Sequence, residues 1–149
     1  MRTHSRGFTL IEILLVLVLV GVLMRVALPY FRTATDKSSV RSAMDVVASL
    51  HARAKAVAVQ RGRIAGLVMN PSAGTMVVVA RNTAGTGWDT IGRVENMRSR
   101  FGVSFTATQN SIAFSPRGIG ADVVSTTIVI SKSTFSDTVT AAVGGRLIR

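Results

Sequence analysis

The chain has 149 residues, 48% of them hydrophobic, and a formal charge of +11 from 18 Lys and Arg against 7 Asp and Glu. It has no cysteine, which excludes disulfides, thiol nucleophiles and Cys-based zinc sites. The positive balance favours anionic partners, meaning nucleic acid, acidic protein or lipid headgroups, although an Arg-rich proteome would give the same balance.

The apolar excess is concentrated at the start. RGFTLIEILLVLVLVGVLM occupies residues 6–24 and holds one carboxylate, Glu12. From Ile13 to Met24 there is no charge, and continuing to Leu28 gives about 20 residues, the length that crosses a bilayer core as a helix. Arg25 lies near the far end, where its long stem can reach the interface. Arg2, His4 and Arg6 precede the run, so the positive-inside rule predicts a cytoplasmic N-terminus and a translocated remainder. A cleavable secretory signal would end in a small-residue site, and none precedes Pro29. A plain anchor explains the apolar run but not Glu12. A charge at mid-membrane costs roughly 2.5–3.5 kcal/mol on insertion scales.

Gly7-Phe8-Thr9-Leu10-Ile11-Glu12, with its basic leader and following apolar run, resembles the N-terminal signature of type IV pilins and type II secretion pseudopilins. The resemblance implies a leader, residues 1–7, that prepilin peptidase removes between Gly7 and Phe8. It implies N-methylation of the new terminal Phe8. It also implies that Glu12 pairs with the N-terminal amine of a neighbouring subunit during filament assembly. Physically, such a pairing relieves the cost of a lone charge in the membrane. The competing reading places Glu12 at headgroup level without a partner, since it lies about one helical turn past Phe8. The implied partners are the inner membrane, other pilin or pseudopilin subunits and the peptidase. The implied location is the bacterial inner membrane, single-pass, with a periplasmic C-terminal domain that enters a pilus or pseudopilus.

Pro29 kinks or ends the helix. Beyond it, Val40, Met44 or Ala43, Val47, Leu50, Ala54 and Val57 recur every three to four residues, and Gly62 supplies a stop. After Gly62 the pattern turns to period two and β-branched residues. RIAGLVM and TMVVVAR predict a hairpin across NPSAG. GWDTIGRV, VSFTAT, SIAFS, TTIVIS, TVTAAV and GRLIR predict further strands, with turns at NTAGTG, SPRGIGAD and VGG. The expected fold is α+β: a long N-terminal helix, its first half transmembrane, packed against antiparallel β-sheet as in pilins. The expected divisions are a leader at 1–7, a transmembrane half at 8–28, a periplasmic helix half at 29–62 and a β-rich head at 63–149.

Phe114-Ser115-Pro116-Arg117-Gly118 and the closing Gly145-Arg146-Leu147-Ile148-Arg149 resemble the group formed by the minor pseudopilin H of type II secretion (GspH) and the minor pilin FimT. These matches are shorter and looser than the N-terminal one.

No enzyme constellation is legible. His4 falls in the leader, and His51, on the Ala-rich helix, has no second ligand at metal spacing, which gives it a surface or packing role. No nucleophile elbow accompanies the serines, and the glycine stretches lack the Lys-Ser/Thr of a phosphate loop. Trp88 suits a packing or loop anchor. No metal, cofactor or catalytic residue is expected.

Two functions remain. In the first, the chain is a minor pseudopilin that helps start or tip a type II secretion pseudopilus. In the second, it is a FimT-like minor pilin that binds double-stranded DNA during natural transformation, through a basic C-terminal region. Some members of that group use Gly-Arg-x-Arg, and here Arg149 falls one place late. Arg146 and Arg149, with Arg117 and Lys132 as helpers, are the candidate DNA-binding residues. In a continuous strand Arg146 and Arg149 would face opposite sides. Contacts from such cations to phosphate would be sequence-independent and salt-sensitive.

Overall fold

The computed structural model describes residues 8–149. The leader, and with it the Gly7 side of the expected cleavage point, lies outside the described residues. The chain divides into two units, residues 1–35 and 36–149, and helix α1, Leu10–Arg61, contributes to both.

In the first unit, every residue from Phe8 to Thr35 is exposed. Its part of α1 makes the helix long and apolar enough to cross a membrane, with a mean hydropathy of 2.7 over its most apolar stretch. Thr9 starts the helix: its hydroxyl and carbonyl oxygens both accept from the Glu12 amide, at 3.3 and 3.1 Å. α1 continues through Pro29 rather than ending there. Proline brings no N–H to the helix ladder. In the next turn the Thr33 and Thr35 hydroxyls bond back to the carbonyls of Pro29 and Phe31, at 2.9 and 2.8 Å.

In the second unit, α1 buries Val40, Ala43, Met44, Val47, Leu50, Ala54 and Val57, the stripe that the three-to-four spacing predicts, and His51 and Ala58 beside it. The helix ends at Arg61, and Gly62 takes φ 58°, a left-handed conformation that glycine adopts without a Cβ penalty.

The strands are β1 (Ala65–Asn70), β2 (Thr75–Arg81), β3 (Trp88–Thr90), β4 (Glu95–Asn96), β5 (Ser104–Ala107), β6 (Ser111–Phe114), β7 (Thr126–Lys132), β8 (Phe135–Ala141) and β9 (Leu147–Ile148). They form two antiparallel sheets. One runs β3-β2-β1-β6, with β4 also paired to β2, and the other runs β5-β7-β8-β9. Strand alternation turns Leu67 and Met69 of β1, Met76 and Val78 of β2, and Ile128 and Ile130 of β7 inward, where they join the helix stripe in one core. Burying a side chain of this size contributes about 1.5–3 kcal/mol.

The stretch GWDTIGRV, predicted as one strand, forms strand only at β3, and β4 begins just past its end. β3 pairs with the end of β2 and β4 with its beginning, and Gly92 at φ 85° turns the chain between them. A five-residue helix, α2 (Met97–Phe101), follows, unforeseen because one turn is too short to show a period. The Asn96 side chain caps it by accepting from the Ser99 amide at 2.9 Å, and Gly102 at φ 66° ends it.

Candidate functional site

Phe8 and Glu12 lie at the start of α1, both exposed. Glu12 is the one acid in the first turn, where the helix dipole favours negative charge. Thr9 and Glu12 also have the Thr-x-x-Glu spacing of a capping box, a local role available to this carboxylate without any partner chain.

The four C-terminal candidate cations fall into two surroundings. Arg117 sits on the turn after β6, where the Gly118 amide bonds to the Ser115 carbonyl and the Ser115 amide to the Ile119 carbonyl, both at 2.8 Å. This turn rests on α1: a Cβ built on Gly118 would come within 2.9 Å of the Val59 side chain and 3.4 Å of the Lys55 side chain. Arg146 closes the β8–β9 turn, its carbonyl accepting from Ala142 at 2.8 Å. The two turns touch backbone to backbone. A Cβ on Gly120 would lie 2.5 Å from the Gly145 amide nitrogen, so the approach requires glycine. Arg117, Arg146 and Lys55, all exposed, thus belong to one surface. Nothing in the local sequence marks Lys55 as a member.

Lys132 and Arg149 lie elsewhere and are engaged within the head. The Lys132 ammonium donates to the Ser39 hydroxyl at 2.9 Å and the Phe101 carbonyl at 3.0 Å, and stands 3.4 Å from Asp36. Arg149 pairs with Asp137 at 3.0 Å and Asp45 at 3.5 Å. Glu95 is taken by Arg93 and Arg100, both at 2.8 Å. The hydrogen bond from Arg93, followed by that from Arg100, holds the Glu95 carboxyl below its usual range despite some desolvation. Among the described residues, Lys55, Arg117 and Arg146 take part in no ion pair.

His51 lies beneath this surface. It is buried, meets the Phe114 ring edge-on at 5.0 Å, and its Nε2 has no hydrogen-bond partner. Burial, reinforced by the Lys55 charge one turn away, lowers its pKa from the ordinary 6.5. The fold therefore favours the neutral imidazole. As pH falls below about 6.5 the unfolded chain takes up the proton first, and stability present above that pH is lost. The melting temperature should drop as pH is lowered from 7 to 5, and His51→Leu should flatten the drop. An equal slope in that variant would assign the effect to other groups.

Trp88 is 52% exposed and lies outside the core. The Arg81 guanidinium stacks over its ring, 5.2 Å from the centroid. No local pattern marks this pair, because the residues meet only through the β2–β3 register.

The prokaryotic N-terminal methylation motif matches residues 2–25. No curated protein sequence gives a significant match. Among solved structures, the type IV minor pilin FimU of Pseudomonas aeruginosa superposes with a TM-score of 0.61 at 13% identity, over 76% of this chain and 90% of that one. The minor pseudopilin EpsH from the type 2 secretion system of Vibrio cholerae superposes with a TM-score of 0.56 at 14% identity, over 72% and 91%. The chain thus combines a match to the N-terminal methylation motif with a fold similar to that of FimU and EpsH, a long N-terminal helix followed by antiparallel sheet.

Proposed function

We propose that the chain is a minor subunit of a type II secretion pseudopilus, acting in initiation of the filament or at its tip. It is inserted in the inner membrane by the first half of α1, with the N-terminus cytoplasmic and the head periplasmic. Prepilin peptidase cuts between Gly7 and Phe8, Phe8 is methylated, and Glu12 meets the freed amine of a neighbouring subunit. The observation that carries this reading is the start of α1: an uncovered apolar run with one carboxylate, placed five residues after Gly7 and inside the methylation motif. Gly7→Ala should leave a full-length, membrane-bound precursor in cells that contain the peptidase. Mature-size protein from that variant would overturn the processing step.

The second reading, a pilus subunit that binds double-stranded DNA, is favoured by one observation. The turns bearing Arg117 and Arg146 share a surface with Lys55, and among the described residues these three cations have no acidic partner. Lys132 and Arg149 are weaker contributors on this reading, since internal carboxylates already engage them. A gel shift with duplex DNA at low and high salt separates the two readings. Binding that weakens with salt and falls at least about tenfold in Arg117→Ala/Arg146→Ala would favour the DNA-binding pilin. No binding at low salt would leave the secretion subunit.

A further inference from the structure

The sheet of β1, β2, β3 and β6 has an uncovered outer face. Alternation sends Leu67 and Met69 into the core and sets Gly66 and Val68 on the opposite side. The registers Gly66↔Val79 and Gly66↔Ala113 place three small or medium residues in one row across three strands. Gly66 is buried, and a Cβ there would lie 2.6 Å from the Ile112 carbonyl oxygen, so glycine lets β1 and β6 approach closely and keeps the floor of the row low. Val68 bounds it on one side and Trp88, paired with Arg81, on the other. The resulting groove encloses about 540 Å³, with Asn110 and Ser111 adding polar atoms at the β6 end. No ionisable side chain lines it.

We propose that this groove docks an acidic polypeptide segment of another protein, which inserts one large apolar side chain over Gly66 and Ala113 against the Trp88 ring. The apolar lining selects the anchor. Charge selects its flanks: residues 36–149 carry 14 Lys and Arg against 6 Asp and Glu, a net of +8. The same excess opposes a second copy of this chain as occupant. A nucleic acid fits less well, because the lining offers no cation for phosphate and the nearby Arg81 guanidinium is already stacked on Trp88. A bilayer fits less well too, since a recessed trough projects no apolar side chain into lipid. Trp and Arg are the residue types that most often dominate protein interfaces, and here stacking has already oriented both. The inference holds for either filament system.

The test uses the chain's sole tryptophan as its own probe. The full chain, in neutral-lipid nanodiscs, is titrated with a short Asp- and Glu-rich synthetic peptide carrying one central Phe. The expected result is a saturable blue shift of Trp88 emission that weakens with salt. Affinity should fall at least about tenfold when the peptide Phe becomes Ala. It should fall similarly in two outward-facing variants, Ala113→Phe, which fills the trough, and Val68→Glu, which charges its wall. Both variants should keep the parent's circular dichroism. Unchanged emission, or undiminished affinity in whichever variant folds, would overturn the proposal. So would a stronger response to a single-stranded oligonucleotide or to phosphatidylglycerol vesicles than to the peptide.

Discussion

Glu12→Gln should leave processing and membrane insertion intact yet reduce incorporation into filaments at least about tenfold. Glutamine is the informative substitution because it can replace glutamate in a capping box with Thr9 while removing the charge. If the carboxylate serves only to start α1, Glu12→Gln will assemble normally. If it serves to meet an amine from another chain, Glu12→Gln and Glu12→Leu will fail alike. The size of the effect follows from the cost of a lone charge in the apolar phase, roughly 2.5–3.5 kcal/mol, which pairing relieves. Each 1.4 kcal/mol is about tenfold in an equilibrium constant, so even partial relief is measurable. Neutralising Glu12 removes both the penalty on the isolated subunit and the gain on pairing, and both changes shift the balance away from the filament. Quantifying the variant in sheared filaments against its level in the membrane gives the answer, and normal incorporation would remove Glu12 from the assembly mechanism.

Phe114→Ala should cost about 3–5 kcal/mol, the range for deleting a fully buried aromatic ring. For a head of this size that corresponds to a fall of about 12–20 °C in melting temperature. Phe114 is 0% exposed and sits where several elements converge. Its ring meets His51 of α1, and the backbone of the β8–β9 turn lies so close that a Cβ on Gly145 would approach within 2.7 Å of it. Losing the ring leaves a cavity under both the Arg117 and Arg146 turns. Trp88→Ala is the contrast: its ring is half exposed outside the core, and its loss should cost under about 1 kcal/mol. Thermal melts of the two variants beside the parent decide the matter, and similar losses would contradict the core position assigned to Phe114.

Much of the fold is legible without coordinates, and the reason is local. The apolar run announces a helix long and apolar enough to cross a membrane, by length and composition. The helix stripe from Val40 to Val57 appears as a three-to-four period because one face of the helix is buried. The β1–β2 hairpin appears as period two around the turn NPSAG, since side chains alternate across a half-buried sheet. Local pattern fails where the chain departs from regular geometry. GWDTIGRV is read as one strand, but Gly92 breaks it: only its first half pairs, with the end of β2, and the beginning of β2 is paired by Glu95 and Asn96 just beyond it. Strand β8 begins at Phe135, ahead of the predicted TVTAAV. The two residues Ser133 and Thr134 separate it from β7, and Ser133 takes φ 53°, a conformation its residue type does not advertise.

The candidate surfaces divide in the same way. Phe8 and Glu12 stand in one short motif, so the sequence by itself determined which N-terminal residues to test. It could not group the cations. Lys55, Arg117 and Arg146 are spread over more than ninety positions, and glycines that let the two turns meet, and the first of them rest on the Val59 and Lys55 side chains, bring them to one surface. Arg149, three residues after Arg146, is drawn instead to Asp137 and Asp45. Lys132 is drawn to Asp36 and Ser39, almost a hundred residues earlier in the chain. The trough floored by Gly66 and Ala113 depends on strand register, which no single strand carries. Periodicity records which face of an element is buried, whereas the partners of an exposed charge are fixed by distances between elements, and those only the tertiary structure decided.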